Sequence, residues 1–454
     1  MPVPRRGARR HLRARGRWFR CETRAVGAAI FNLAMDHGMS DIHPRAADRQ
    51  RTAPEAGAIP LQRLVEAYKD PHRLYDELRE RSQVGYDAAA RCWVVTGQEP
   101  VRTILADRRF VSEMALALPE ARRSPRRTFA SDAIQKQIIF VDGAKQARVQ
   151  RAVLTELARR SDVLVAPLQA CASALAEEAR ARGDFDLVRD FAVPFTLQAV
   201  ALVLGTPVGD AEETARLERW STSYADITSG YLHAKMDDVV QLGEYFRAQV
   251  AARRGTPSDD LIGAFMRDGG LDDEDDVVIQ CMMAFAAGRV TTQKLLADGI
   301  PRLIPEWSAW RELVRNTPSA LRRLVEELLR LVTPTRYVVR YATEDVHLAG
   351  EAAAGVRVKR GERVVLILEA ANRDGEVFPA PHALQAGRQP NPHVTFGFGP
   401  HRCPGASIAR VEIAIALQAL FESLGEIRPH PSQPPAWDPN PNIGGYASYR
   451  CLCA

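Results

Sequence analysis

The stretch DDEDDVVIQCMMAFAAGRVTTQKLLADGIPRLI, residues 272–304, limits what this chain can fold into more than any other. It runs about 30 residues before Pro301 interrupts it. Its five leading acidic residues stand where the partial positive charge of a helix N-terminus favours them. Its centre, CMMAFAAG, is apolar on nearly every side, and such a helix is stable only when surrounded. The pattern predicts a long helix crossing the core of one large domain.

The rest of the chain agrees with a single domain. A length of 454 residues alone gives a prior of about three, but no Gly/Ser- or Pro-rich linker divides the sequence and no internal repeat appears. Residues 1–38 hold nine Arg, no Lys and only Glu22 and Asp36, so the formal charge of +5 belongs to this end. The remainder has 52 basic against 54 acidic residues, which gives the body no reason to bind nucleic acid. Residues 1–55 read as a basic, disordered extension that cannot build a core, although an Arg-rich, acid-poor start also suits a targeting segment. Residues 56–454 read as the folded domain. No stretch approaches the roughly 20 apolar residues of a membrane-spanning helix. The seven cysteines are odd in number, scattered and without a CxxC pair. They argue against a disulfide framework or a zinc site and fit a reducing, cytoplasmic setting.

Periodicity predicts helices near 143–159, 161–182, 192–204, 211–226, 234–253 and 258–267, with further ones in SALRRLVEELLRLV and ASIARVEIAIALQALFESLG. RCWVVTG, RYVVRYA and VRVKRGERVVLIL read as strands. Residues 111–139 read as a long basic loop, and loops of that length in a compact domain are usually functional or mobile. The fold expected is mainly α with a minor β part.

The chemistry concentrates in FGFGPHRCPG, residues 396–405. Gly397, Gly399 and Gly405 allow tight turns and close approach of something flat. The helix that follows offers free N–H groups and partial positive charge to a thiolate at Cys403, and His401 and Arg402 add to it. This environment suits a thiolate metal ligand beneath a cofactor. FGFGPHRCPGASIAR resembles the heme-binding signature of the cytochrome P-450 superfamily, the heme-thiolate monooxygenases, and especially its soluble bacterial members. The pattern Phe-Gly-x-Gly-x-His-x-Cys-x-Gly is matched at every fixed position. The resemblance implies Cys403 as axial ligand of heme b iron, Phe396 over the thiolate side, and His401 and Arg340 on the propionates. It also implies a buried triad of Glu327 and Arg330, from EELLR, with Arg388 from the turn-rich meander. It extends over roughly residues 60–450.

Two places depart from the family. Over the oxygen-binding face the family has Ala/Gly-Gly-x-acid-Thr, and this chain reads AAGRVTT: Ala287, Gly288 and Thr291 match, but the acid is Val290. Valine relays no proton, which leaves Thr291 or Thr292 with ordered water, or a group of the substrate, to do so. In FVDGAKQARVQRAV, the His and Arg that clamp a propionate in the family are Gln146 and Gln150, with Arg148 or Arg151 as candidate substitutes.

By the same resemblance, Met283, Arg289, Val290, Arg336, Tyr337 and Val338 are candidate substrate contacts. Arg108, Arg109, Arg122, Arg123, Arg126 and Arg127 form either a solvated basic loop or a site for a carboxylate or peptide. The implied function is a bacterial oxidase that tailors a secondary metabolite with O2. Electrons from NAD(P)H would pass through a separate ferredoxin reductase and ferredoxin. The alternatives are oxidative cross-linking of aromatic side chains in a short peptide, and a non-catalytic heme-binding or sensing protein.

Overall fold

The computed structural model describes residues 61–117, 128–231, 235–256, 258–268, 271 and 273–453. The expected N-terminal extension and Arg122, Arg123, Arg126 and Arg127 lie outside the described residues.

The described residues open with helices α1 (Leu61–Glu66) and α2 (His72–Arg81), then strands β1 (Val84–Asp87) and β2 (Cys92–Val95). Helix α3 (Gln98–Ala106) and strand β3 (Phe110–Val111) follow. The stretch read as a long loop contains two short helices, α4 (Met114–Ala117) and α5 (Phe129–Gln135). Thr128 and Ser131 cap α5 reciprocally, a local signal at its N-terminus.

The two helices expected over 143–182 are one, α6 (Gly143–Arg182). It carries Pro167 in its interior and stops at Gly183 in the left-handed conformation. After β4 (Asp184–Asp186) a π turn, Leu187–Ala192, leads into α7 (Val193–Leu204). The window Leu187–Leu204 is long and apolar enough to cross a membrane by composition, an exception to the sequence expectation. It is 67% buried inside the fold, as a core segment is. Helices α8 (Ala211–Thr228), α9 (Met236–Ala251) and α10 (Leu261–Asp268) complete this part.

The long helix is α11 (Glu274–Leu303), capped by Asp273, which accepts from the Asp276 amide at 2.7 Å. It continues through Pro301 for two residues rather than ending there. It packs against α7, α8, α9, α13 and α15, which accounts for its lack of a polar face. Helices α12 (Trp307–Asn316) and α13 (Ala320–Val332) precede the main β part.

That part contains β5 (Tyr337–Ala342), the pair β6 (Val346–His347) and β7 (Arg357–Val358), and β8 (Arg363–Ile367), followed by the single turn α14 (Leu368–Ala371). Helix α15 (Ala406–Ser423) leads to β9 (Ile427–Pro429), β10 (Ala436–Asp438), β11 (Gly445–Ser448) and β12 (Arg450–Cys453). The principal sheet has the order β1-β2-β8-β5-β3, with β2 and β8 parallel. A small sheet, β4-β12-β9, ties the C-terminus to the end of α6. One apolar cluster runs through α6, α7, α9, α11, α13 and α15, with two smaller clusters on the principal sheet.

Candidate active site

The loop before α15 turns where its glycines permit. Gly397 and Gly399 have φ of 68° and 71°, a region glycine enters without steric cost. At Gly399 a β-carbon would lie 2.2 Å from the Leu105 carbonyl oxygen of α3, so no larger residue fits. The Cys403 amide donates to Phe396 O at 2.8 Å. Cys403 keeps accessible surface, yet burial pushes its thiol up, against the Gly405 amide and the charges of Arg410 and Arg402. The two facts agree when the sulfur opens onto an interior cleft rather than bulk water. Beside it, the Arg410 guanidinium lies 4.5 Å from the centre of the Phe396 ring, its Nε 2.6 Å from Glu326.

Helix α11 presents one open stripe. Met283, Ala284, Ala287, Gly288 and Thr291 are partly accessible, whereas Met282, Phe285, Ala286, Arg289, Val290 and Thr292 are buried. Offsets of one, four, five and eight residues define a single helix face. The two threonines therefore divide. Thr291 Oγ1, on the open stripe, donates to Ala287 O at 2.7 Å. Thr292 is buried on the other side of the helix. Glu412 of α15 is 5% exposed, and burial pushes its carboxyl up to about 8, opposed by the Thr292 hydroxyl. The sequence reading missed it, although a lone acid inside VEIAIALQAL was a signal to be had.

Arg340 is buried on β5 and donates to Val339 O at 2.8 Å; among the described residues it has no ion-pair partner. Burial pulls its guanidinium down to about 10, opposed by the charge of Asp142. A buried cation without a counter-ion calls for an anionic group from elsewhere. The donor set is one thiol at a glycine-cradled loop, one unpaired buried guanidinium and an apolar stripe with a hydroxyl. It fits heme: Cys403 would hold the iron and Arg340 would face a propionate.

The other sequence candidates have partners within the protein or different surroundings. His401 turns to Asp142, Nε2 to Oδ1 at 2.8 Å, and Asp142 also accepts from the Ser112 and Glu113 amides at 2.9 and 2.7 Å. Gln146 and Gln150 reach loop carbonyls: both donate to Pro400 O at 3.0 Å, and Gln150 also to Arg402 O at 2.9 Å. Arg289 is fully buried on the face away from the stripe, because its polar head finds partners between α11 and α8. Its Nε donates to Ser221 Oγ at 2.7 Å and its Nη1 to Gln293 Oε1 at 2.6 Å. Val290 lies in the main apolar cluster. Arg336 is buried with its Nε 3.3 Å from Glu369, and Tyr337 packs on the cluster between α1, α2 and the principal sheet. Of the candidate substrate contacts, Met283 lies on the stripe and Val338 shares a strand face with Arg340. Arg109 pairs with Asp107 and Glu344, and Arg108 is exposed.

The structure brings the expected triad together. Glu327 and Arg330 are fully buried, Oε1 to Nη2 at 2.8 Å, and Arg388 Nε lies 3.1 Å from the same oxygen. The Gln385 amide and Asn391 Nδ2 also donate to Glu327, each at 3.1 Å. A carboxylate with that many donors needs no water.

The sequence profile described as Cytochrome P450 matches residues 316–443. The chain is 31% identical over 379 residues to the mycinamicin IV hydroxylase/epoxidase of Micromonospora griseorubida, covering 80% of this chain and 91% of that one. It is 31% identical over 346 residues to the 20-oxo-5-O-mycaminosyltylactone 23-monooxygenase of Streptomyces fradiae, covering 75% and 78%. Among solved structures, P450BioI in complex with hexadec-9Z-enoic acid ligated acyl carrier protein aligns with a TM-score of 0.76 at 26% identity. That alignment covers 86% of this chain and 100% of that one.

Proposed function

The chain belongs to the cytochrome P450 family, and from that premise we propose that it inserts oxygen into a bulky apolar secondary metabolite. It is a heme-dependent oxidoreductase of the monooxygenase type, using O2 and electrons from NAD(P)H delivered by redox partners. Bound heme supplies oxygen activation, and thiolate donation to iron favours O–O cleavage.

The observation that carries the substrate class is the open stripe of α11. Met283, Ala284, Ala287 and Gly288 offer apolar contact, and Thr291 is its one hydroxyl. Arg289 and Arg336 are committed to Ser221, Gln293 and Glu369, so neither is free for a carboxylate. The named reactions of the mycinamicin IV and mycaminosyltylactone relatives support this reading, as does the hexadec-9Z-enoic acid ligated carrier protein in the P450BioI complex. Thr291 holds its hydroxyl at the stripe through Ala287 O, the place from which it orders water beside the reacting group. Buried Val290 takes no part in moving a proton. A ferredoxin with its reductase as electron donors and a cytoplasmic location belong to the same reading.

A spectral titration of the ferric holoprotein tests it, with macrolide, terpenoid and fatty-acyl compounds set against short tyrosine-containing peptides. Apolar compounds are expected to shift the Soret band to shorter wavelength, and the product to gain the mass of one oxygen. A shift by peptides alone, with a product lighter by two hydrogens, would replace this reading by aromatic coupling.

A further inference from the structure

We propose that Gln146 and Gln150 are positioning residues for the thiolate ligand, acting as an uncharged latch from α6 onto the peptide group in front of Cys403. This rests on the heme-thiolate reading above and concerns how the ligand is held.

The two glutamines are four residues apart and share one face of α6. Gln146 is buried and spends a side-chain N–H on Pro400 O. Gln150 donates from Nε2 to Pro400 O and to Arg402 O. A side-chain amide has two N–H donors, so the donors of Gln150 are both used. Arg402 O belongs to the peptide whose nitrogen is that of Cys403, and that nitrogen donates to Phe396 O at 2.8 Å. The Arg402–Cys403 peptide plane is therefore held at both ends, by α6 at its carbonyl and by the loop at its N–H. Rotating it breaks one bond or the other, and its orientation sets where the Cys403 side chain points.

The loop needs such a restraint. Gly397 and Gly399 give it turns that no other residue takes easily, at the cost of a wider range of alternative conformations. Helix α6, packed along α15, is a rigid point from which to remove that freedom. The latch carries no charge, so it acts at any ionic strength. It also leaves Arg340 as the buried cation for a propionate, which separates holding the heme from holding its thiolate.

The test uses purified holoprotein, reduced and saturated with carbon monoxide. One readout is the fraction of the long-wavelength Soret band given by thiolate ligation, with its rate of decay to the short-wavelength form in mild urea. Heme content and unfolding by circular dichroism are followed separately. For Gln150→Leu, the decay is expected to be about 5- to 10-fold faster, the range for losing one or two neutral hydrogen bonds. Heme content and unfolding midpoint should stay close to wild type. Gln150→Arg keeps donors at this site and should restore the slow decay, whereas Gln150→Glu should not. Gln146→Leu/Gln150→Leu with wild-type band fraction and decay rate would overturn the latch alone. A wild-type protein without the long-wavelength band would overturn the heme-thiolate reading and the latch with it.

Discussion

His401 Nε2 lies 2.8 Å from Asp142 Oδ1, so the histidine two residues before the cysteine is joined to the residue that precedes α6. The opposite oxygen of Asp142 accepts two backbone amides. Burial raises this carboxyl, but the His401 bond and those amides outweigh it and hold it below the usual range. Asp142→Ala leaves the amides unpaired, and a loss on the order of 1–3 kcal/mol is expected. A carboxylate held low contributes stability above its unfolded value of about 3.9, lost as pH falls through the folded value. The gap in unfolding midpoint between wild type and variant should stay constant from pH 8 to near 5 and close only in stronger acid. A gap that closes near neutrality would be wrong for this cause.

Glu327→Gln should be far more damaging than any change on the open stripe. It leaves the guanidinium of Arg330, fully buried, and that of Arg388, also buried, without their counter-charge. Breaking a buried pair in this way costs about 3–5 kcal/mol. The expected result is poor recovery of heme-loaded protein with a strongly lowered unfolding midpoint, measured by absorbance and calorimetry. A stable holoprotein would mean that the meander is held by other contacts.

Glu412 should make stability fall with rising pH. Burial raises its folded value to about 8, against about 4.3 when unfolded. The folded state then keeps a proton that the unfolded state has lost, so its contribution is full below the unfolded value and disappears as pH rises through the folded one. The slope is on the order of 1 kcal/mol per pH unit between them. Glu412→Gln, always neutral, should show a flatter curve of midpoint against pH from 5 to 8. Parallel curves for the two proteins would exclude an effect of this carboxyl.

Val290→Asp tests whether the family's acid is wanted here. Its side chain would enter an apolar cluster, where an unpaired carboxylate is costly. A lower unfolding midpoint and no gain in oxygen consumption coupled to product are expected. A several-fold gain in coupled turnover would show instead that Val290 limits proton supply.

The cysteine loop was legible because its signals are local. Glycines at 397 and 399, a proline at 400 and a helix start at Ala406 dictate turns wherever the chain places them. The triad of Glu327, Arg330 and Arg388 was legible only through resemblance, since Arg388 is 61 residues from Glu327. The direction of Arg289 was not legible. Helix α11 is buried on almost every side, so no polar face in the sequence sets its rotation, and Arg289 next to Gly288 reads equally well toward substrate. Its partners on α8 lie 67 and 68 residues away.

The sequence by itself determined a mainly helical domain with one helix through its centre and a thiolate loop at the start of another, because glycine, proline and apolar spacing act over a few residues. Tertiary structure decided which side of α11 is open, that Gln146 and Gln150 reach the carbonyls of Pro400 and Arg402, and that Glu412 is buried beside α11. Those outcomes depend on how helices rotate and approach one another, and packing between distant segments sets both.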